Sequence, residues 1–135
     1  MKTINQIHDP FYVVGVGASA GGLEALQDLF KSIPDNSGCA YVVIQHLSPD
    51  YKSLMSELLS RYTSMEVHVA ENDEEVIPNH VYLIPPKKEL SIKEGRLILS
   101  EQNNVNGINL AIDNFFRSLA KDCGKHAIAI VLSGA

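Results

Sequence analysis

Apolar positions change their period along this chain, and each change marks an element. Tyr12-Val13-Val14-Gly15-Val16 and Tyr41-Val42-Val43-Ile44 are short, nearly unbroken apolar runs, the pattern of strands buried on both faces. They predict strands over residues 11–16 and 40–45. Between them Leu23, Leu26, Leu29 and Phe30 recur at helical spacing. That predicts a helix over residues 23–33, ended by the turn residues Pro34-Asp35-Asn36-Ser37-Gly38. Ser48-Pro49-Asp50 caps a second predicted helix over residues 51–62, which carries Leu54, Leu58 and Leu59. The middle of the chain is more polar. Short strands are expected over residues 66–70 and 80–84, around an acidic stretch, Glu71-Asn72-Asp73-Glu74-Glu75, that reads as a solvated turn. Residues 90–93 and 96–100 flank Glu94-Gly95, a hairpin signal. A helix over residues 109–123 turns Ile112, Phe115, Phe116 and Leu119 inward. The last run, residues 127–132, is apolar throughout and is expected at the centre of a sheet. Strands alternating with helices predict an α/β fold: a doubly wound, mostly parallel sheet with an antiparallel hairpin edge.

Composition narrows the function classes. With 135 residues, 45% of them hydrophobic, the chain can bury the core of one domain, and it shows no repeat or low-complexity tract. The net charge of -5 argues against a nucleic-acid partner, which wants a basic surface. No apolar run approaches the ~18–20 residues of a membrane span, so no membrane insertion is expected. Residues 1–8 lack the apolar core of a signal peptide, which makes the cytoplasm the default location. Cys39 and Cys123 stand far apart in sequence and are expected to be reduced, buried side chains.

The chemistry concentrates where the first two strands end. Gly17-Ala18-Ser19-Ala20-Gly21-Gly22 joins the first strand to the first helix, and the second strand ends in Gln45-His46. A serine between glycines at such a turn can be an exposed nucleophile, part of a phosphate cradle, or a tight turn. Adjacent parallel strands bring their ends together at one edge of the sheet, so Ser19 and His46 read as a nucleophile and its base. Gly17-x-Ser19-x-Gly21 matches the short nucleophile-elbow pattern, with helix N–H groups near Ala20, Gly21 and Gly22 available for a developing oxyanion. Two enzyme-like alternatives compete. A dinucleotide loop fits Gly15-x-Gly17, but its ribose-binding acid belongs where Gln45-His46 stands. An α/β-hydrolase places its serine on a later strand and its histidine last. The structural alternative makes Ser19 a helix N-cap and His46 a locally bonded strand-end residue.

The other histidines suggest no cofactor chemistry in sequence. His68 alternates with Val67 and Val69 and is expected to face solvent, His80 starts a strand, and His126 precedes the last one. None is spaced with a second ligand, so neither a metal nor any other cofactor is expected. Lys87-Lys88 after Pro85-Pro86 reads as a surface loop.

Three segments in order carry a family likeness. Gly17-Ala18-Ser19-Ala20-Gly21-Gly22 follows the first strand, Gln45-His46-Leu47-Ser48-Pro49 the second, and Ile130-Val131-Leu132-Ser133-Gly134 closes the chain. Together they resemble the CheB-type protein-glutamate methylesterase domain of bacterial chemotaxis, closest to the methylesterase segment of fusions with a CheR-type methyltransferase. The stretches Pro78-Asn79-His80-Val81-Tyr82-Leu83-Ile84-Pro85-Pro86 and Ile112-Asp113-Asn114-Phe115-Phe116-Arg117-Ser118-Leu119-Ala120 look like the family's middle and late segments. The resemblance implies hydrolysis of glutamate γ-methyl esters on chemoreceptors, giving glutamate and methanol, by a Ser-His-Asp triad without a cofactor. Serine maps to Ser19 and histidine to His46. The aspartate is implied beyond Leu132-Ser133-Gly134, so residues 11–135 are expected to be a C-terminally truncated domain after a tail of residues 1–10. The implied partners are methylated chemoreceptors and a linked or separate methyltransferase. With only about ten residues before the first strand, the receiver domain common in the family is not expected within this sequence. Ala20 stands where many relatives carry a hydroxyl. The alternative is a non-catalytic signalling or interaction domain that retains the fold.

Overall fold

A computed structural model describes residues 10–19, 22–45, 52–102 and 110–133, the side chains of residues 52–54 excepted. The chain order is β1 (Val13–Ala18), α1 (Leu23–Ser32), β2 (Ala40–Gln45), α2 (Lys52–Ser60), β3 (Glu66–Val69), β4 (Glu74–Glu75), β5 (His80–Leu83), β6 (Lys88–Lys93), β7 (Arg96–Glu101), α3 (Ala111–Cys123), a 3-10 turn (Gly124–His126) and β8 (Ala127–Leu132). Five strands form a parallel sheet in the order β3-β5-β2-β1-β8. The register sets Val13 beside Ala40 and Ala127, and Ala18 beside Gln45 and Leu132.

Alternation along the strands builds two cores. On one face Val14, Val16, Ala18, Tyr41, Val43, Val81 and Leu83 pack with Leu26 and Phe30 of α1 and Met55 and Leu59 of α2. On the other face Val13, Val42, Ile44 and Tyr82 pack with Phe115 and Leu119 of α3. Helices on both faces make the sheet doubly wound, as the apolar runs predict.

Gly15 and Gly17 belong to β1 and face α3. A Cβ on Gly15 would lie 3.0 Å from side-chain carbons of Leu119 and Phe116, and one on Gly17 would lie 2.7 Å from Ile112 Cγ2. Bare backbone is what lets α3 approach the strand, so this pair of glycines has a packing role and not that of a phosphate loop.

The hairpin forms, with Glu94 and Gly95 both at positive φ (53° and 76°). Asp122 of α3 accepts both of their N–H groups, at 2.6 and 3.1 Å. It does not extend the edge of the parallel sheet. It joins β4 in a separate antiparallel sheet, order β4-β7-β6, whose Leu90, Ile92 and Leu97 share the α3-side core. β8 pairs with β1 alone among the described residues, and there Val131 is 71% exposed and Ile128 39% exposed. No helix among the described residues is long and apolar enough to cross a membrane.

Candidate active site

The carboxyl ends of β2, β1 and β8 lie side by side, and Ser19 stands at the middle one. β1 runs two residues further than its apolar run suggests, through Gly17 and Ala18, so Ser19 is the first residue off the strand. It is exposed, whereas the six residues before it are buried. Its backbone is held from three directions. Ser19 N–H donates to Leu132 O of β8 at 3.3 Å. Ser19 O accepts from Gly22 N–H at 2.8 Å and from Gln45 Nε2 at 3.2 Å.

The N-cap of α1 is Gly22, whose carbonyl accepts from Leu26 N–H at 2.9 Å and which has no side chain to cap with. Ser19 is therefore not the N-cap that the structural alternative required. A Cβ on Gly22 would stand 3.1 Å from Ser19 O and 3.2 Å from Ala18 Cβ. The turn closes this tightly because the residue is glycine. In a parallel α/β unit the amino end of the helix opens on the edge where the strand finished, so the electropositive end of α1 is on the side of Ser19.

Gln45 is the residue sequence reasoning passed over. It is 4% exposed and is the sole buried polar side chain among the described residues. Its Nε2 braces the Ser19 carbonyl, and its Oε1 is buried with no hydrogen-bond partner among the described residues. The signal was present: a carboxamide ending an otherwise apolar strand.

His46, Ala20 and Gly21 lie outside the described residues. Gln45, the covalent neighbour of His46, is the register partner of Ala18, the covalent neighbour of Ser19. A rival nucleophile, the Cys123 thiol, is pushed up to about 11 by burial and by the Asp122 carboxylate, so it is protonated at neutral pH. An open groove of about 610 Å³, lined by Val69, Asn72, Pro85, Pro86, Lys88 and Leu99, lies past the ends of β3 and β5. β5 is two strand positions from β1 and β3 is three, roughly 9–14 Å, and Ser19 is not among the residues that line the groove.

His68 does not face solvent as its alternation with valines suggested. Its Nε2 is 2.5 Å from Glu74 Oε2, and its ring lies against Tyr82, with centroids 4.9 Å apart. His80 and Glu66 join the same cluster because β3 and β5 set Glu66 beside His80 and His68 beside Tyr82. No sequence spacing reveals such a grouping before the register is known.

Comparison with known proteins finds relatives by sequence and by structure. The family model for CheB methylesterase matches residues 14–135. A protein-glutamate methylesterase/protein-glutamine glutaminase of Photorhabdus laumondii is 31% identical over 126 residues, covering 90% of this chain and 36% of that protein. A second so named, from Xanthomonas oryzae, is 35% identical, covering 90% of this chain and 35% of its own. The chain thus spans about a third of the length of these relatives. The crystal structure of the Thermotoga maritima CheB methylesterase catalytic domain superposes with a TM-score of 0.81 at 26% identity, covering 91% of this chain and 67% of that one.

Proposed function

This chain belongs to the CheB methylesterase family, and on that footing we propose that it supplies the nucleophile and base of a protein-glutamate methylesterase. The substrate class is a glutamate γ-methyl ester on a chemoreceptor. The Ser19 hydroxyl attacks the γ-carbonyl carbon, and His46 takes its proton. The C–O bond to the methoxy group breaks, and the proton passes from His46 to methanol. Water then cleaves the acyl-serine, and glutamate is released. The negative oxygen of each tetrahedral intermediate is held by N–H groups of the turn at Ala20 and Gly21 and by the amino end of α1. The aspartate that orients His46 is the one the resemblance implies after Leu132-Ser133-Gly134. The relatives named above are also glutaminases. The same sequence of steps releases ammonia from a glutamine side chain, and we extend the proposal to that amide. The partners are then methylated receptors and the methyltransferase that esterifies them, in the cytoplasm.

The observation that carries this reading is the fixed backbone of Ser19: an exposed serine at the amino end of a helix, braced by Leu132 and Gln45 from both neighbouring strands. A serine used only as a turn does not need a buried carboxamide behind it. The experiment is methanol release from receptor whose glutamates carry methyl esters, with ammonia release from glutamine-bearing receptor run beside it. The whole protein should release methanol, and the unesterified receptor should give none. Absence of methanol from a folded, full-length protein would favour the non-catalytic interaction domain.

A further inference from the structure

We propose that Glu66, His68 and His80 bind a divalent transition-metal ion of the Zn²⁺ type, with Glu74 holding His68 in the liganding tautomer. The site is independent of the hydrolytic reading. His80 opens β5 and Glu66 opens β3, so it sits towards the strands' amino ends, away from the edge where Ser19 stands.

The donor set is present and convergent. One ligand atom from each of Glu66, His68 and His80 lies within 4.8 Å of the others. Glu66 Oε2 is 3.3 Å from His80 Nδ1 and 3.9 Å from His68 Nδ1. Ligands on a tetrahedral zinc at ~2.0–2.2 Å stand roughly 3.3–3.6 Å from each other. Glu66, 68% exposed, can swing to close both of its own distances, and the two imidazoles, within 4.8 Å of each other, must approach by no more than about 1 Å.

Two further observations point to a cation. Both Nδ1 atoms are buried and have no hydrogen-bond partner among the described residues. Imidazole nitrogens sealed from water and turned toward one carboxylate oxygen are a donor set without an acceptor. His68 is also fixed from behind. Its Nε2 is 2.5 Å from Glu74 Oε2, and a carboxylate there takes the Nε2–H and leaves the lone pair on Nδ1. This is the carboxylate–histidine arrangement that orients metal-binding imidazoles. Two imidazoles with one carboxylate select zinc-like ions over magnesium or calcium, which take oxygen ligands. The ion would tie β3, an edge strand, to β5, and through Glu74 to β4 of the second sheet.

The test uses the full protein, free of any polyhistidine tag and stripped with a chelator, titrated calorimetrically with Zn²⁺ alone. One equivalent should bind, and the melting temperature should rise on its addition. His68→Gln and His80→Gln should each weaken binding tenfold or more and abolish the rise in melting temperature. Glu74→Gln should weaken it about 10- to 100-fold. Should a histidine variant fail to fold in chelator, Co²⁺ on the unaltered protein decides: its visible absorption should show nitrogen and oxygen ligands and no thiolate charge-transfer band. No stoichiometric binding, binding of unchanged affinity in both histidine variants, or a thiolate band would each overturn the proposal.

Discussion

Gly17 has room for a hydrogen and nothing larger. The carbon a substitution would add lies 2.7 Å from Ile112 Cγ2, a methyl that a β-branched side chain in a helix cannot swing away. Gly17→Ala should destabilise the fold by about 1–3 kcal/mol, read as a lower denaturant midpoint. In an Ile112→Ala background the loss should shrink or reverse, because alanine is otherwise the better strand residue by roughly 0.5–1 kcal/mol. Equal losses in both backgrounds would mean that the contact is not the cause. Gln45 invites the opposite experiment. Its Oε1 is buried and unpartnered, so Gln45→Leu should change stability by less than about 1 kcal/mol. It removes the brace on the Ser19 carbonyl, however, and kcat of the whole enzyme should fall about tenfold or more with KM little changed. Tyr82 sets an alkaline limit. An unfolded tyrosine loses its proton near 10, whereas Tyr82 in the fold keeps it to about 12. Its contribution is whole below pH 10 and is lost as pH rises toward 12, since the unfolded state releases the proton first. Tyr82→Phe should flatten that part of the stability–pH curve; an unchanged slope would assign it to another group.

At the scale of elements, β8 is the least settled strand. It is apolar on both faces, pairs only with β1 among the described residues, and leaves Val131 71% exposed and Ile128 39% exposed. An apolar edge of this kind recruits other chains. The 135-residue chain should therefore elute from size exclusion in a concentration-dependent way, and Val131→Lys should make it monomeric at no cost in melting temperature. A monomer at every concentration before the substitution would show that the edge is already covered. The same strand shows what was legible in the sequence. Its limits could be read because an apolar run bounded by polar residues has only one way to be a strand, and the two-faced burial of β1 and β2 followed from the same pattern. Its pairing with β1 could not, because strand order depends on what packs beside it. β4 was hidden for another reason: Glu74-Glu75 carries no apolar signal, and its pairing with Leu97 and Arg96 is a matter of backbone register. The exposed turn at Ser19 was legible because its glycines are close in sequence. The Glu66–His68–His80 cluster was not, because β3 and β5 must pair before those side chains meet.

Across the whole molecule, chemistry and packing divide along the sheet's axis. The carboxyl edge holds an exposed serine in front of a helix amino end, and the interior behind it is closed by α1 and α2 on one face and α3 with the small sheet on the other. The fold can therefore hold the Ser19 backbone still while leaving its position exposed, as the proposed attack on a receptor side chain would demand. The central claim is that Ser19 is the nucleophile. Its most direct test is methanol release from methyl-esterified receptor by the whole protein and by its Ser19→Ala variant, with a melting curve for each. Ser19 is exposed and its side chain small, so the two stabilities should agree to within about 1–2 kcal/mol. Turnover should fall by several orders of magnitude, on the scale of ~10⁶ found when a triad serine is removed. A variant that melts like the original and still releases methanol at a comparable rate would contradict the account.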